Sequence, residues 1–369
     1  MRLIKRFNAL LHPLMRMYLR MQYAKKLGVY KKLHPEAFKS ANAVSRAKHK
    51  ALWGKLVKRV NTGWLDVFYG ISGNDDYRFV PEDIFYGVIE RCLNNCNGSG
   101  GFIEDKNDVY FYIPKKYQPR TVLHYERGMW FDEDFAPLTI SDANKVISSY
   151  SELLVGKPTM FTSGGSNVRT WNSNEIDLNQ IEDAFDGYLF QKRLKQDIKV
   201  SAFNPASINT CRIMTFRRPW NAETSVIAAM LRLGCGNEIT DNLSLGGVCV
   251  DIDNNGRLAD FAVDHRFGRY KCHPQSKIAF SGFEIPQYKE MCNVVCEIAA
   301  KIPGFNLLSF DVINQDNGEP CVIEINATSM AMARLQTMCP LFGDETEQVV
   351  EWCAEHRKFD YFNHLRTWY

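Results

Sequence analysis

The chain has 369 residues, of which 45% are hydrophobic and 24% charged, and its formal net charge is +3. This composition is typical of a soluble globular protein, and it excludes a chain disordered throughout, a collagen-like repeat and a bundle of membrane-spanning helices. The small total charge hides a division, because residues 1–60 contain 16 Lys or Arg and one acid, Glu36, whereas residues 61–369 carry a net charge of −12. We therefore expect a basic segment joined to an acidic body, and an anionic partner for that segment.

The start of the chain predicts an amphipathic helix. One face is apolar and the opposite face basic, and Pro13, on the polar side, should bend the helix. The apolar face comprises Leu3, Ile4, Phe7, Leu10, Leu11, Leu14, Met17, Tyr18 and Met21, and the basic face comprises Arg2, Lys5, Arg6, Arg16 and Arg20. Two interpretations are open: residues 1–60 dock on an anionic membrane surface through this helix, or the helix packs on the body with its basic side in solvent or facing the acidic body.

Other features narrow the class of protein. No run of about 18 apolar residues occurs, and the N-terminus lacks the pattern of a secretory signal. The 11 cysteines show no CxxC spacing, which indicates reduced thiols in a cytoplasmic protein, without a disulfide or metal role. No zinc-finger, homeodomain or RNA-binding signature accompanies the basic residues, so nucleic acid is not an expected partner. The sequence leaves the oligomeric state open.

The elements predicted for the first half of the body are helices and strands separated by turn-rich stretches. In chain order they are a helix over residues 81–92, strands over 109–113 and 121–125, a hairpin turn at 126–128 leading into a strand over 129–131, and a helix from a capping Ser141 to about residue 154. The turn contains glycine between two β-prone runs, so residues 121–131 should form a β-hairpin.

A lysine followed by a Ser/Gly-rich loop comes next. Lys157 ends an apolar run, and residues 161–168 are Phe-Thr-Ser-Gly-Gly-Ser-Asn-Val. One fixed cation and several backbone N–H groups that a ligand can approach closely suit a nucleotide phosphate. The lysine precedes the glycines, so this is not a Walker loop, and the motif alone also fits a strand-end lysine beside an ordinary surface turn.

Two apolar runs near the C-terminus contain carboxylates and an amide. They predict a pair of strands over residues 308–313 and 321–326, joined by the turn-rich residues 314–320. Side chains alternate along a strand, so Glu324 and Asn326 share a face that Asp311 on the partner strand can reach. Converging carboxylates repel unless a cation lies between them, and oxygen ligands favour Mg²⁺. The alternative is an edge hairpin with its acidic face in water.

The order of short motifs along the body resembles that of the ATP-grasp superfamily. The motifs are Asp105-Lys106, Lys157-Pro158 with the Ser/Gly-rich loop, Gln191 to Leu194, Asn209-Thr210-Cys211-Arg212, Asp241-Asn242 with Gly246-Gly247, Asp311, and Glu324-Ile325-Asn326. Within that superfamily, several stretches are similar to the sugar-transfer-associated ATP-grasp family of cell-surface polysaccharide clusters: Asn209 to Arg212, Arg232-Leu233-Gly234 followed by Asp241-Asn242 and Gly246-Gly247, and His273-Pro274 with Ile285-Pro286. The resemblance covers about residues 100–345.

This resemblance implies an α+β fold of the ATP-grasp type, in which two α+β subdomains grip ATP, preceded by a basic helical N-terminal segment. The implied organisation is a basic amphipathic helical segment over 1–60, a mixed N-terminal subdomain over 61–104, an ATP-grasp N-terminal subdomain with the phosphate loop over 105–200, an ATP-grasp C-terminal subdomain with the Mg²⁺ site over 201–345, and a helix with an aromatic tail over 346–369. The implied cofactors are ATP and Mg²⁺.

The resemblance also implies roles for individual residues. Lys106 and Lys157 would contact the ATP phosphates, and Lys157 and Arg212 would be catalytic, since a cation beside the γ-phosphate or the acyl phosphate stabilises charge that grows in the transition state. The other implied nucleotide contacts are Ser163, Gly164, Gly165 and Ser166 in the phosphate loop, Gln191, Lys192, Arg193 and Leu194 in a hinge strand against adenine, and Asn242. The implied Mg²⁺ ligands are Asp311, Glu324 and Asn326.

A loop and a basic run are candidates for the substrate side. The resemblance implies a substrate-side or phosphate-side loop formed by Asp241, Gly246 and Gly247. The basic run that contains His265, Arg266 and His273 either recognises an anion, such as a uronate carboxylate or a sugar phosphate, or is a solvated loop.

The activity that the resemblance implies is that of an ATP- and Mg²⁺-dependent carboxylate–amine ligase, which forms an amide through an acyl phosphate. Its substrates would be a small-molecule or lipid-linked sugar acid and an amine or amino acid. The reaction would serve cell-surface polysaccharide or capsule assembly on the cytoplasmic side, near the inner face of the membrane. Two alternatives stay open: an ATP-grasp kinase acting on a sugar or lipid-linked substrate, and a nucleotide-binding scaffold without catalysis.

Overall fold

Helices dominate the first hundred residues and strands the remainder of the chain. The structure is a computed structural model that describes residues 2–94, 101–160, 167–328 and 330–356, with the backbone alone for residues 2–13, 15–16 and 101–102. The described α-helices are α1 (Arg2–Leu33), α2 (Ala43–Gly54), α3 (Gly63–Ser72), α4 (Glu82–Ile84), α5 (Glu90–Leu93), α6 (Gly101–Glu104), α7 (Lys106–Val109), α8 (Ile140–Ser148), α9 (Leu178–Ala184), α10 (Ile198–Ser201), α11 (Tyr288–Lys301) and α12 (Thr346–Glu355). A π-helical stretch over Phe85–Ile89 joins α4 to α5.

The strands form two antiparallel sheets. They are β1 (Thr121–Glu126), β2 (Met129–Phe131), β3 (Pro137–Leu138), β4 (Leu154–Pro158), β5 (Arg169–Trp171), β6 (Gly187–Lys192), β7 (Cys211–Arg217), β8 (Thr224–Leu233), β9 (Val248–Asp251), β10 (Ala262–Val263), β11 (Arg269–Tyr270), β12 (Leu307–Asn314) and β13 (Pro320–Asn326). The first sheet has the order β3-β2-β1-β6-β4-β5, and the second has the order β11-β10-β9-β8-β7-β12-β13.

The first sheet begins with the predicted hairpin, which is confirmed. Glu126 at the end of β1 pairs with Met129 at the start of β2, and the turn residues Arg127 and Gly128 have φ angles of 43° and 87°. Positive φ at both turn positions is the type I′ geometry, whose twist matches that of paired strands. The core of this sheet is shared with α8 and α9 and includes Trp130, Ile147, Ile181 and Phe190.

Both faces of the second sheet are covered, which buries its central strands. On β7, Ile213 belongs to a core shared with α11, whereas its neighbour Met214 belongs to a core shared with the N-terminal helices and α12. Successive side chains of a strand point to opposite faces, so this alternation follows from the strand itself. β12 is buried along its whole length and lies inside the sheet, while β13 forms the edge. The predicted strands over 308–313 and 321–326 are thus confirmed as a pair.

The C-terminal half of α1 packs on the body. Tyr23 stacks on Tyr86 with ring centroids 5.6 Å apart, and Leu27 is buried. Lys26 Nζ lies 2.6 Å from a carboxylate oxygen of Glu82 on α4. The predicted N-terminal helix is confirmed as part of α1. Among the described residues, no helix combines the length and the hydropathy that crossing a membrane requires.

The predicted strand over residues 109–113 is wrong. The chain forms the short helix α7 up to Val109 and then turns over residues 110–113. Asp105 caps α7 by accepting a hydrogen bond from the N–H of Asn107. Gln118 then donates to the carbonyls of Tyr110 and Ile113, which occupies acceptors that a sheet would need. Of the side chains that suggested a strand, Val109, Tyr110 and Ile113 are buried around a turn, whereas Phe111 is exposed.

The helix predicted from Ser141 to about residue 154 begins earlier and ends sooner. Thr139 caps α8, because its hydroxyl oxygen accepts a hydrogen bond from the N–H of Asp142. α8 ends at Ser148, and the chain then enters β4 at Leu154. The helix predicted over 81–92 is confirmed, as the continuous path through α4, the π-helical stretch and α5.

We predict that His49 makes the fold less stable in acid. His49 on α2 is fully buried, and its Nδ1–H donates to the carbonyl of Tyr77 over 2.8 Å. Burial lowers the pKa of His49 to about 4, from an ordinary value of 6.5. A histidine with a lowered folded-state pKa contributes stability above its unfolded pKa. That contribution is lost as the pH falls from 6.5 towards 4, at a rate of at most about 1.4 kcal/mol per pH unit.

The variant His49→Gln keeps a donor for Tyr77 and removes the titrating group. The free energy of unfolding, measured with urea at about pH 7.5 and about pH 5, should change less between the two conditions for this variant than for the unaltered chain. An equal change in both proteins would assign the acid sensitivity to another group.

Candidate active site

The pairing of β12 with β13 sets the geometry of the site. Asp311 lies directly opposite Glu324, and Ser309 lies opposite Asn326. Directly opposite residues of an antiparallel pair point to the same face, as do residues two apart on one strand. The register therefore brings Asp311, Glu324 and Asn326 to one face of the sheet.

Asp311 is held by two arginines. Arg212 on β7 donates from Nε to Oδ1 and from Nη2 to Oδ2, each over 2.7 Å, and Arg232 on β8 donates from Nη1 to Oδ2 over 2.8 Å. Although burial acts to raise the pKa of Asp311, the two guanidinium groups hold it below its ordinary value. Asp311 is buried, so it is a fixed anion and not a carboxylate in open water.

A second carboxylate completes this buried group of charges. Asp241 lies 2.9 Å from Nη2 of Arg232, and it accepts hydrogen bonds from the backbone N–H and the hydroxyl of Thr210. Burial raises the pKa of Asp241, and Arg232 opposes that shift. We call Arg212, Asp311, Arg232 and Asp241 the arginine–aspartate cluster, in which positive and negative charges alternate.

Arg232 is a member of this cluster that the sequence predictions for the site did not include. They contain it only as part of the Arg232-Leu233-Gly234 motif. Its contact with Asp311 depends on strand order, because β8, β7 and β12 are neighbours in the sheet although β12 is distant in sequence. A signal was present: Arg232 interrupts the apolar end of β8, and an arginine in such a position is rarely buried without a charged partner.

The two lysines predicted to contact phosphates lie near Glu324. Lys106 Nζ is 3.6 Å from Oε2 of Glu324 and 3.4 Å from the carbonyl oxygen of Thr159, just after β4. Lys157 on β4 is buried. Burial, and then the neighbouring Lys106 ammonium, lowers the pKa of Lys157 to about 7, while Glu324 opposes the shift. The structure therefore brings the predicted phosphate contacts together with a predicted Mg²⁺ ligand.

The predicted hinge strand connects the two sheets through side chains. Gln191 on β6 donates to the hydroxyls of Tyr110 and Thr121 over 3.0 and 2.9 Å. Tyr110 in turn donates to the carbonyl of Ile323 on β13 over 3.3 Å. One chain of hydrogen bonds thus runs from the first sheet to the strand that carries Glu324. The other predicted hinge residues are Lys192, which ends β6, the exposed Arg193 and the half-buried Leu194.

The predicted substrate-side loop folds back on the end of β8. Asn242 caps a short 3-10 helix over Leu243–Leu245, and Gly246 follows with a φ angle of 96°. A Cβ atom on Gly247 would lie 2.8 Å from the carbonyl oxygens of both Asn242 and Leu233. Only glycine tolerates these two requirements, the positive φ and the close approach. The two glycines therefore shape the turn that follows Asp241.

The predicted basic run is divided between the surface and the interior. Arg266 is exposed and His265 is half-buried. His273 is fully buried; its Nε2–H donates to the carbonyl of Gly234 over 2.9 Å, and its Nδ1 accepts from the N–H of Ser276 over 3.2 Å. Both ring nitrogens of His273 therefore form hydrogen bonds, one to the residue after β8 and the other within the loop that contains Ser276.

The predicted phosphate loop, with Ser163, Gly164, Gly165 and Ser166, lies outside the described residues. β4 and β5 pair with each other, with Gly156 opposite Arg169. In the sequence, the predicted loop lies between these two strands. The connection begins directly after Lys157 and Pro158, the last two residues of β4.

The oxygen atoms around Glu324 form a donor set that suits Mg²⁺. Glu324 keeps 29% of its side chain exposed. Among the described residues, the side-chain nitrogen of Asn326 is buried and has no hydrogen-bond partner. The hydrogen-bonding capacity of this amide is therefore not satisfied by the described residues. A carboxylate and an amide oxygen match the preference of Mg²⁺, which fills its other positions with water and phosphate oxygens. No group of three His, Cys, Asp or Glu side chains able to hold a metal is found in the described ranges.

Two antiparallel sheets, with Lys157 on the first and Glu324 on the second, and with Lys106 on α7 close to both side chains, define an ATP-grasp fold, here with an additional N-terminal helical segment. The model of the family described as sugar-transfer associated ATP-grasp matches residues 139–340. Because this match covers more than half of the chain, the chain belongs to the sugar-transfer associated ATP-grasp family. The family and the fold predicted from the order of motifs are confirmed.

Several solved structures resemble the chain. The biotin carboxylase domain of the Hydrogenobacter thermophilus 2-oxoglutarate carboxylase, solved with MgADP, ADP and bicarbonate, is 12% identical at a TM-score of 0.38 and covers 69% of this chain and 45% of that one. The ATP-grasp ligase PsnB with a minimal precursor is 13% identical at a TM-score of 0.37, with coverages of 72% and 63%. The Thermotoga maritima N5-carboxyaminoimidazole ribonucleotide synthetase is 11% identical at a TM-score of 0.35, with coverages of 66% and 52%.

The chain spans less than two thirds of the length of each of these three proteins. At these identities and scores, the likenesses assign no activity to the chain. A search of curated proteins finds no match.

We predict that removing Arg232 strongly destabilises the fold. Arg232→Gln leaves Asp241 buried with Thr210 as a donor but without its counter-charge. Removing one partner of a buried ion pair costs about 3–5 kcal/mol, and the free energy of unfolding from urea titrations should fall by about that amount.

The coupled control is Asp241→Asn in the Arg232→Gln background. It removes the uncompensated charge and keeps an acceptor oxygen for Thr210, so it should restore part of the lost stability. If the second substitution instead adds a further, independent loss, the two side chains are not energetically coupled.

Proposed function

We propose that the chain is an ATP- and Mg²⁺-dependent ligase that joins a carboxylate to an amine. A substrate carboxylate oxygen attacks the γ-phosphorus of ATP, ADP leaves, and an acyl phosphate forms. The amine nitrogen then attacks the acyl carbon, phosphate leaves with one former carboxylate oxygen, and the nitrogen loses a proton to solvent to give the amide. The observation that carries this proposal is that Lys106, Lys157 and Glu324 meet beside the arginine–aspartate cluster.

The lysines are suited to hold the nucleotide phosphates. The pKa of Lys157 is about 7 because it is buried near another cation. An arriving polyphosphate places negative charge beside this group, which raises its pKa and favours the protonated form. Burial also strengthens the attraction between the ammonium and the phosphate, because less water screens it. Further nucleotide contacts in this proposal are the loop over residues 163–166, the backbone over 190–194 against adenine, and Asn242.

Arg212 is placed to stabilise the charge of the transferring phosphoryl group. Asp311 engages its Nε and Nη2, and within the described ranges no partner is assigned to Nη1, which would contact an anion. A guanidinium held in place before the reaction needs no reorganisation when negative charge develops, and this preorganisation is the basis of electrostatic catalysis. Arg232 contributes by donating to Oδ2 of Asp311, the oxygen that Arg212 Nη2 also engages. In this proposal Arg212 and Lys157 are the catalytic residues and Arg232 is a positioning residue.

Glu324 and Asn326, with Asp311 alongside, would hold Mg²⁺, which neutralises phosphate charge when it is bound. Lys106 is the nearby counter-charge of Glu324 in the structure. The lysine and the carboxylate attract each other across the boundary between the two sheets, which keeps both groups at the position where the phosphates would lie.

We propose a sugar acid as the carboxylate substrate, either free or lipid-linked, and an amine or amino acid as the second substrate. The family is described by its association with sugar transfer, which supports a role in cell-surface polysaccharide assembly on the cytoplasmic side of the membrane. The turn after Asp241, with Gly246 and Gly247, and the basic residues His265 and Arg266 are the proposed substrate contacts. His273 supports this region from the interior.

We predict that turnover requires both an acid and an amine and yields ADP and phosphate. Purified protein is incubated with ATP, Mg²⁺, candidate uronic acids and candidate amines, and the nucleotide products are separated by chromatography. Release of AMP would contradict an acyl-phosphate route. ADP formed with a phosphorylated product and no need for an amine would identify a kinase, and undetectable ATP binding would favour a scaffold.

We predict that Glu324→Gln weakens nucleotide binding only when Mg²⁺ is present. The substitution keeps the shape of the side chain and removes the charge that attracts the cation, so the affinity for MgATP in calorimetry should fall by at least about 10-fold. The affinity for ATP with a chelator should change little. The matched control is Glu319→Gln, an exposed acid on the connection between the same two strands. Equal MgATP affinities in the two variants would exclude Glu324 as a ligand.

A further inference from the structure

The middle of α1 carries large apolar side chains that the described part of the body does not cover. Leu14, Met17, Tyr18 and Met21 are 58%, 55%, 54% and 64% exposed. They are spaced three or four residues apart, which places them on one side of a helix. We call these four residues the outer stripe.

The same helix uses its other side to pack on the body. The packed side chains are the half-buried Leu19 and Tyr23 and the buried Leu27 and Tyr30. Tyr23 stacks on Tyr86, and Tyr30 meets the ring of Phe267 edge-on at 5.1 Å. α1 is one continuous helix from Arg2 to Leu33. At about 100° per residue, the mean direction of the packed side chains is roughly 175° from that of the outer stripe, so the outer stripe points away from the body.

All charged side chains of residues 1–35, the part of the sequence that contains the outer stripe, are basic. Residues 1–35 contain nine Lys or Arg and no Asp or Glu. Further along α1, Lys25 and Lys32 are exposed and lie on the same side as the outer stripe, with the half-exposed Val29 between them. Apolar side chains and lysines therefore share the one face of α1 that is turned outward.

We propose that this outward face of α1 lies on an anionic membrane surface. The apolar side chains enter the boundary between head groups and acyl chains, and the lysines contact the negatively charged head groups. The charge selects an anionic surface, because Lys25 and Lys32 are exposed on this face and gain favourable electrostatic energy beside a surface of opposite charge. The packed side of α1 then faces away from the lipid and holds the body at the membrane. This surface goes beyond the proposed reaction, because membrane binding requires neither ATP nor an acceptor.

Cosedimentation of the full chain with lipid vesicles tests the proposal. The chain should bind vesicles of phosphatidylcholine with about 30% phosphatidylglycerol at low salt, bind pure phosphatidylcholine weakly, and lose affinity for the anionic vesicles as salt screens the lysines. Met17→Gln with Met21→Gln should weaken binding by at least about 10-fold, since two apolar side chains no longer enter the lipid. Lys25→Gln with Lys32→Gln should weaken it by about 5-fold per lysine.

The matched control is Val44→Gln with Ile198→Gln, which removes two apolar side chains that are 64% and 82% exposed elsewhere on the surface. This control should bind vesicles like the unaltered chain. Circular dichroism and urea unfolding confirm that every variant is folded. The proposal is overturned if the unaltered chain does not bind anionic vesicles, or if the Met17 and Met21 variant binds them as well as the control. A dimer that dissociates in that variant, in a chain that binds no lipid, would identify a second copy as the occupant.

The outcome is separate from that of the ligase assay, because no nucleotide or acceptor is present. A chain that binds vesicles and forms no amide would refute the proposed reaction alone. A chain that forms an amide and ignores vesicles would refute the membrane surface alone.

Discussion

The bidentate pair between Arg212 and Asp311 is the interaction on which the site depends. It joins β7 to β12 inside a sheet that is covered on both faces. Two charges buried in such a place are unfavourable unless their remaining donors and acceptors are also satisfied. Arg232 and Asp241 supply that compensation, and Thr210 closes the far end of the cluster. The charges proposed to act on a phosphoryl group are therefore also a constraint on how three neighbouring strands align.

The second constraint is the contact between the two sheets. Lys157 comes from the first sheet, Glu324 comes from the second sheet, and Lys106 comes from α7. The hydrogen bonds from Gln191 through Tyr110 to Ile323 fix the position of the first sheet relative to the second. The site is thus assembled from parts that neither sheet has alone, and a change in the position of one sheet would alter the lysines and the carboxylates together. This arrangement suits a ligand that is itself extended and negatively charged, such as a nucleotide triphosphate.

The sequence predicts the parts of this site that follow from local periodicity. Alternation along two strands was sufficient to place Asp311, Glu324 and Asn326 on one face, and the Gly-containing turn was sufficient for the β1–β2 hairpin. Local periodicity could not predict Arg232, because its contact requires the order of strands in the sheet. Apolar β-prone residues also misled at 109–113, where a capping Asp105 and the side chain of Gln118 satisfy the backbone in another way. The chain turns at residues 110–113, where Tyr110 and Ile113 are buried and Phe111 is exposed, and no strand pairs there.

The same distinction explains α1. A helical wheel finds the apolar side formed by Leu14, Met17, Tyr18 and Met21, and for most helices that side would be the one in contact with the body. Here the body is contacted by a different and less uniformly apolar side, in which Lys26 forms an ion pair with Glu82 between two tyrosines. A lysine and tyrosines can pack because their polar ends find partners, so the less hydrophobic side suffices for docking. The more hydrophobic side is then left for a surface outside the protein. In this helix, the most hydrophobic side is not the side that packs on the body, and the sequence pattern alone does not show which side packs.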